Sequence, residues 1–148
     1  MLGDYLPDKL KAEAAKRITA GVGAVVYYYQ INTTPPKDKY CIIIGISACG
    51  EKIGVVYINT NGYAPTPYLM GFQIPILQSE YSWLRYNSYI DSSILIEKNK
   101  NEIDDHIQRS VEAYYKGEIS SDLINQIKGN LGISRRMSPA LRAKYGII

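Results

Sequence analysis

The chain has 148 residues and a formal charge of +3, a length that suits one domain with one core. Apolar residues at 46% and charged residues at 21% place it outside the disordered class. No apolar run approaches the ~20 residues of a membrane helix, and residues 1–19 mix acids with bases without the apolar middle of a secretory signal. A cytoplasmic protein with no membrane association is expected.

In chain order, residues 4–19 predict an amphipathic helix. Leu6, Leu10, Ala14 and Ile18 form its stripe, Pro7 suits its first turn, and Gly21 and Gly23 end it. Strands are predicted over 24–31, 40–47, 52–60, 71–77 and 88–96. The run through Cys41, Ile42, Ile43 and Ile44 has the continuous apolar character of a strand buried on both faces. Pro35 and Pro36 break the first connection, 48–51 is a short turn, 61–69 is a loop, and 79–86 has room for one helical turn. From Asn99 the period becomes helical: Ile103, Ile107, Val111 and Tyr114 or Tyr115 share a stripe that Gly117 closes. Ser120 or Ser121 caps a further helix facing Leu123, Ile124, Ile127 and Leu131 inward, and Ser138-Pro139 starts a last short one over 139–145. No linker separates two units. The expected fold is therefore a single α+β domain over 1–148: an N-terminal helix (1–20), a small β-barrel core of about five strands (21–97) and C-terminal helices (98–148). Closure into a barrel follows from the edges that five short strands otherwise expose.

Several chemistries are excluded. The only histidine, His106, stands beside Asp104 and Asp105 off the apolar stripe and reads as a solvated surface residue. One His and two Cys do not make a zinc site, and neighbouring acids on a helix point apart, so no metal is expected. Cys41 reads as a buried free thiol. Neither a phosphate-binding loop ending in Lys-Ser/Thr nor a nucleophile elbow is present, and no cofactor is expected. Lys, Arg, Ser, Thr and Tyr remain. Such a set suffices for ribonuclease chemistry, in which the RNA's own 2′-hydroxyl attacks the adjacent phosphate and the protein moves protons and neutralises charge.

Two further features bear on partners. Tyrosine occurs 14 times against one Phe and one Trp, and its flat face with a polar tip suits strand surfaces, interfaces and base stacking alike. The positive excess lies in residues 117–148, where Lys128, Arg135, Arg136, Arg142 and Lys144 stand against Glu118 and Asp122. That tail reads either as a surface for phosphates or as a solvated helical face.

The strand-then-helix layout resembles the PemK/MazF-like toxin family of small-barrel, metal-free endoribonucleases. Ser88-Tyr89-Ile90-Asp91 with Ile94 is similar to the family's late strand. Lys116-Gly117-Glu118-Ile119-Ser120-Ser121-Asp122-Leu123, running on to Leu131-Gly132-Ile133, is similar to its entry into the last helix. Gly23-Ala24-Val25-Val26-Tyr27 resembles the opening strand, Lys37-Asp38-Lys39-Tyr40 the basic segment before an apolar strand, and Ile58-Asn59-Thr60-Asn61 a strand ending in a catalytic threonine. The resemblance covers residues 21–132, and Lys39-Tyr40 stands where the family has Arg-Pro. It implies an SH3-like, PemK-type barrel, a homodimer, and cleavage of single-stranded RNA under the control of an antitoxin or other protein partner. Lys39 and Thr60 then take the catalytic positions, Lys39 managing protons and phosphate charge and Thr60 standing beside the scissile phosphate. Arg85, Tyr57, Tyr63, Tyr68, Arg135 and Arg136 are the RNA-binding candidates. The alternatives are a catalytically degenerate PemK-like binding module, since lysine lacks arginine's bidentate fork, and a phage- or mobile-element-encoded interaction protein that binds a protein or nucleic-acid partner.

Overall fold

Residues Cys41 to Ile44 are buried to within 1% exposure, yet they do not share a core. Strand alternation sends Ile42 and Ile44 to one face of a sheet and Cys41 and Ile43 to the other. The sheet is therefore covered on both sides, as the unbroken apolar run predicts, and each buried isoleucine contributes about 1.5–3 kcal/mol.

The computed structural model describes residues 21–30, 37–60 and 66–147, so the N-terminal helix expected over 4–19 lies outside the described residues. Among the described residues there are seven strands: β1 (Ala24–Gln30), β2 (Lys37–Ile46), β3 (Lys52–Asn59), β4 (Gln73–Ile76), β5 (Ser88–Asp91), β6 (Ile96–Asn99) and β7 (Tyr115–Glu118). They form one antiparallel sheet in the order β4-β5-β3-β2-β1-β7, curled into a half-barrel. Strand β6 pairs with β3 at Lys52 to Val55, while β5 pairs with it at Ile58 and Asn59. Because β2 occupies the other edge of β3, β5 and β6 are two halves of one interrupted strand. Among the described residues β4 and β7 remain separate edges, so the sheet is open where a closed five-stranded barrel was expected.

Helix α1 (Pro67–Met70) occupies part of the expected loop, its N-terminus capped by the Thr66 hydroxyl. Helix α2 (Lys100–Arg109) places Ile103 and Ile107, four residues apart, over Cys41, Ile43, Ile53 and Val55. The long helix expected up to Gly117 stops at Arg109. Ser110 caps the short α3 (Val111–Tyr114), and the chain then becomes β7. Gly117 pairs with Val25 at φ +138°, beside a register shift between Val25 and Val26, so this glycine bends a strand rather than closing a helix. Helices α4 (Ser121–Ile133) and α5 (Pro139–Lys144) start at capping Ser120 and Ser138. The second face is covered by Ile127 and Leu131 of α4 and by Met137, Tyr145 and Ile147, which flank α5. Residues 79–86 form successive turns and no helix.

The break between β5 and β6 is a buried polar knot. Ser92, Ser93 and Ser134 have no solvent exposure. The Ser92 amide donates to the Phe72 carbonyl (3.0 Å), Asn130 Nδ2 donates to Ser92 Oγ (2.8 Å), and Ser134 Oγ donates to the Ser93 carbonyl. Arg142 donates to the Ser134 carbonyl (2.7 Å). The Ser93 carbonyl freed by the interrupted ladder thus finds its partner at the end of α4, and with the Asn130 bond to Ser92 it fixes that helix to the sheet.

No helix among the described residues is long and apolar enough to cross a membrane.

Candidate nucleic-acid interface

One face of the sheet brings Lys39, Tyr57, Asn59 and Lys98 together. Tyr28 on β1 pairs with Lys39 on β2, and Asn59 on β3 pairs with Tyr89 on β5. The β2–β3 register, with Tyr40 opposite Ile58, brings Lys39 to Asn59, and the Lys39 ammonium donates to Asn59 Oδ1. Alternation puts Tyr57 on this same face, with Lys39 Nζ 5.5 Å from its ring centroid and Lys98 Nζ 5.9 Å from it. Lys98 reaches this place because β6 pairs it with Ile53, whose side chain faces α2.

The electrostatics follow from partial burial. Desolvation lowers the Lys98 ammonium pKa below the usual lysine value, against the pull of the Cys41 and Glu102 positions. Cys41, at the floor of this face, is pushed up to about 12 by burial, so it is a neutral thiol and not a nucleophile. Tyr28 is also raised, by burial first and then by Glu102.

The expected site residues divide. Lys39 and Tyr57 come together. Thr60 follows the last residue of β3 and is exposed, but alternation assigns Asn59, not Thr60, to the Lys39 face. Arg85 is exposed in the β4–β5 connection, near Tyr40 on the opposite face. Tyr68 and Arg135 meet elsewhere: the Arg135 guanidinium lies 3.9 Å from the Tyr68 ring centroid, and its amide donates to the Tyr68 hydroxyl (2.8 Å). Arg136 turns toward the polar knot, donating to Ser93 Oγ (2.9 Å) at 3.9 Å from Asp91. Tyr63 lies outside the described residues. Asn59, Lys98 and Tyr89 were not anticipated. Asn59 stands two residues from Tyr57, a spacing that marks it as a same-face neighbour once β3 is known.

His106 departs from the expectation of a solvated residue. It is half-buried, edge-on to Tyr28 (4.8 Å between centroids) and stacked on Tyr114 (3.7 Å). The helix places it at the margin of the Ile103–Ile107 stripe, where α3 folds back over it.

A concavity of about 260 Å³ lies away from this face, between β4 and α4, lined by Ile74, Pro75, Ile76, Glu80, Tyr81, Ser120, Asp122, Leu123 and Gln126. Its charged groups are both carboxylates, the wrong sign for a phosphate. It contains none of the expected site residues.

Neither a protein-family model nor a curated protein sequence matches this chain.

Proposed function

We propose that the protein binds single-stranded RNA on the Lys39–Tyr57–Lys98 face and cleaves it without a metal ion. The observation that carries this reading is the placement of two ammonium groups around one tyrosine ring, beside an asparagine amide. A base stacks on Tyr57 while the ammonium groups neutralise its phosphates. The pair also suits the cleavage step. The 2′-oxygen attacks phosphorus and loses its proton to solvent, and the Lys98 ammonium neutralises the charge that builds on the phosphorane oxygens. The P–O5′ bond breaks, and the Lys39 ammonium supplies the proton to the departing 5′-oxygen. A 2′,3′-cyclic phosphate is the product. The Asn59 amide stands at the end of β3, on the Lys39 face, to hold the phosphate. The resemblance of residues 21–132 to the PemK/MazF-like toxins supports the same chemistry, together with a homodimer and an antitoxin partner.

The test is incubation of the purified protein with single-stranded RNA in EDTA, with mapping of the ends and anisotropy of labelled oligonucleotides. Cyclic phosphate ends that disappear in Lys39→Ala and Lys98→Ala support the reading; no affinity for single-stranded RNA at low salt overturns it. Binding without cleavage identifies a non-catalytic module, which lysine at the position of the family's arginine favours. Growth arrest on expression in bacteria, relieved by Lys39→Ala, extends the test to the toxin role.

A further inference from the structure

The opposite face of the same sheet end carries an aromatic row that the RNA-binding face does not use. Tyr27 and Tyr40, paired across β1 and β2, have ring centroids 4.8 Å apart at 45°. Trp83, from the β4–β5 connection, lies 5.3 Å from Tyr40 at 51°, and Tyr81 lies 5.5 Å from Trp83. The Tyr40 hydroxyl donates to the Trp83 carbonyl (3.1 Å) and fixes that connection against the sheet. Tyr27, Tyr40 and Trp83 are all half-buried, so the row is held rigidly without being covered.

Two cations flank it. Lys116 Nζ on β7 is 5.9 Å from the Tyr27 ring centroid, and exposed Arg85 stands two residues from Trp83 in the β4–β5 connection; burial raises the Tyr40 pKa and the Arg85 charge opposes that rise. Among the described residues neither cation is paired with a carboxylate; Lys116 donates only to the Glu112 carbonyl at 3.5 Å. Elsewhere Lys100, Lys144 and Arg136 each have a carboxylate within 4.0 Å. Rigid aromatic faces flanked by unneutralised cations match the chemistry of a stacked, phosphate-linked chain.

We infer that a bound RNA strand passes over the end of the sheet and places further nucleotides on a second subsite built from Tyr27, Tyr40 and Trp83, flanked by Lys116 and Arg85. Lys39 and Tyr40 are consecutive residues on opposite faces, so the two stacking surfaces are separated by little more than the thickness of the sheet. Exposed Thr60 lies at the strand ends that such a chain must cross. The inference rests on the RNA-binding reading of the Lys39–Tyr57–Lys98 face and adds to it the length and path of the ligand.

The chain has a single tryptophan, so Trp83 emission reports this subsite alone. The probes are 2′-O-methyl oligouridines, which resist cleavage, of about 4 and about 12 nucleotides, spanning the range that one small β domain accommodates. The longer probe is expected to quench Trp83 emission. Lys116→Glu should lower affinity for the longer probe about tenfold, the scale of one stacked, charge-supported base. It should leave the shorter probe's affinity and the far-UV circular dichroism unchanged, whereas Lys39→Ala should weaken both probes. If the longer probe binds with loss in Lys39→Ala but with no change in Trp83 emission or in Lys116→Glu affinity, the second subsite is refuted and the first face stands. If neither probe binds, both readings fall.

Discussion

Leu95 lies directly across the backbone of Gly54: a Cβ added to Gly54 would fall 2.1 Å from Leu95 Cδ2. Gly45, paired with Gly54 on β2, is covered in the same way by Tyr145, whose ring would stand 3.0 Å from an added Cβ. Two facing glycines thus make a smooth strip on which the β5–β6 segment and the C-terminal helix settle.

Gly54→Ala should therefore cost about 1–3 kcal/mol, the range for forcing a methyl group into a packed interior. Gly50 provides the comparison, because its added Cβ meets nothing within 4 Å and only its φ of +76° resists substitution, at a cost of about 1 kcal/mol. Urea denaturation of both variants checks the order. A Gly54→Ala midpoint no lower than that of Gly50→Ala contradicts the packing.

The polar knot predicts a loss out of proportion to size. Ser134 Oγ donates to the Ser93 carbonyl and accepts from the Arg136 amide (3.2 Å), and Ser93 and Ser134 have no solvent exposure. Ser134→Ala removes one small oxygen and strands the buried Ser93 carbonyl, so about 1–3 kcal/mol should be lost. Native-state hydrogen exchange should localise the weakening to α4 and α5. A uniform effect across the sheet would argue against the knot as the anchor of those helices.

Glu97 accepts from Lys144 Nζ (2.6 Å) and from the Tyr145 hydroxyl (2.8 Å), and these donors, Lys144 foremost, hold its carboxyl below the usual value. A depressed carboxylate pKa contributes stability above the unfolded-state value and loses it as the pH falls through the folded-state value. Glu97→Gln should lower the melting temperature at neutral pH, and the gap from the parent protein should close between about pH 5 and about pH 3. Because Glu97 and Lys144 are both well exposed, the gap should be small and reduced further by salt. A pH-independent gap excludes the carboxylate as its source.

The two cysteines should separate cleanly in a thiol titration. Cys49 is exposed, and a hydrogen bond with Ser47 (3.4 Å between Oγ and Sγ) lowers its pKa, whereas Cys41 is buried and raised to about 12. Ellman's reagent at neutral pH should label one thiol in the native protein and the second only in denaturant. Two fast thiols would contradict the burial of β2.

On the proposed RNA-binding face, Lys98 should set an alkaline limit on binding. Its pKa lies below the ordinary 10.5 because burial penalises the ammonium, so its charge is lost earlier as the pH rises. Affinity should begin to fall before the surface lysines titrate. Lys98→Arg, which keeps its charge, should abolish that early fall. The measurement is oligonucleotide anisotropy against pH, and an identical profile in both proteins removes Lys98 from the interface.

Local pattern was enough for features that short-range physics governs. The apolar run at Cys41 to Ile44 identified a strand buried on both faces, serines before Leu123 and Leu141 identified helix caps, and Ile103 with Ile107 identified the α2 stripe. Lys39 and Tyr57 were legible as a basic and an aromatic residue on neighbouring strands. What residues 115–118 become was decided by the edge of β1, because a helical stripe and a short strand share the same few apolar positions and only pairing with Ala24, Val25 and Val26 separates them. The register of β2 on β3 likewise chose Asn59 as the partner of Lys39, and the break at Ser92 and Ser93 carried Lys98 to Tyr57. Sequence sets which residues prefer a pleated, half-buried surface; contacts between residues far apart in the chain set which of them share a face.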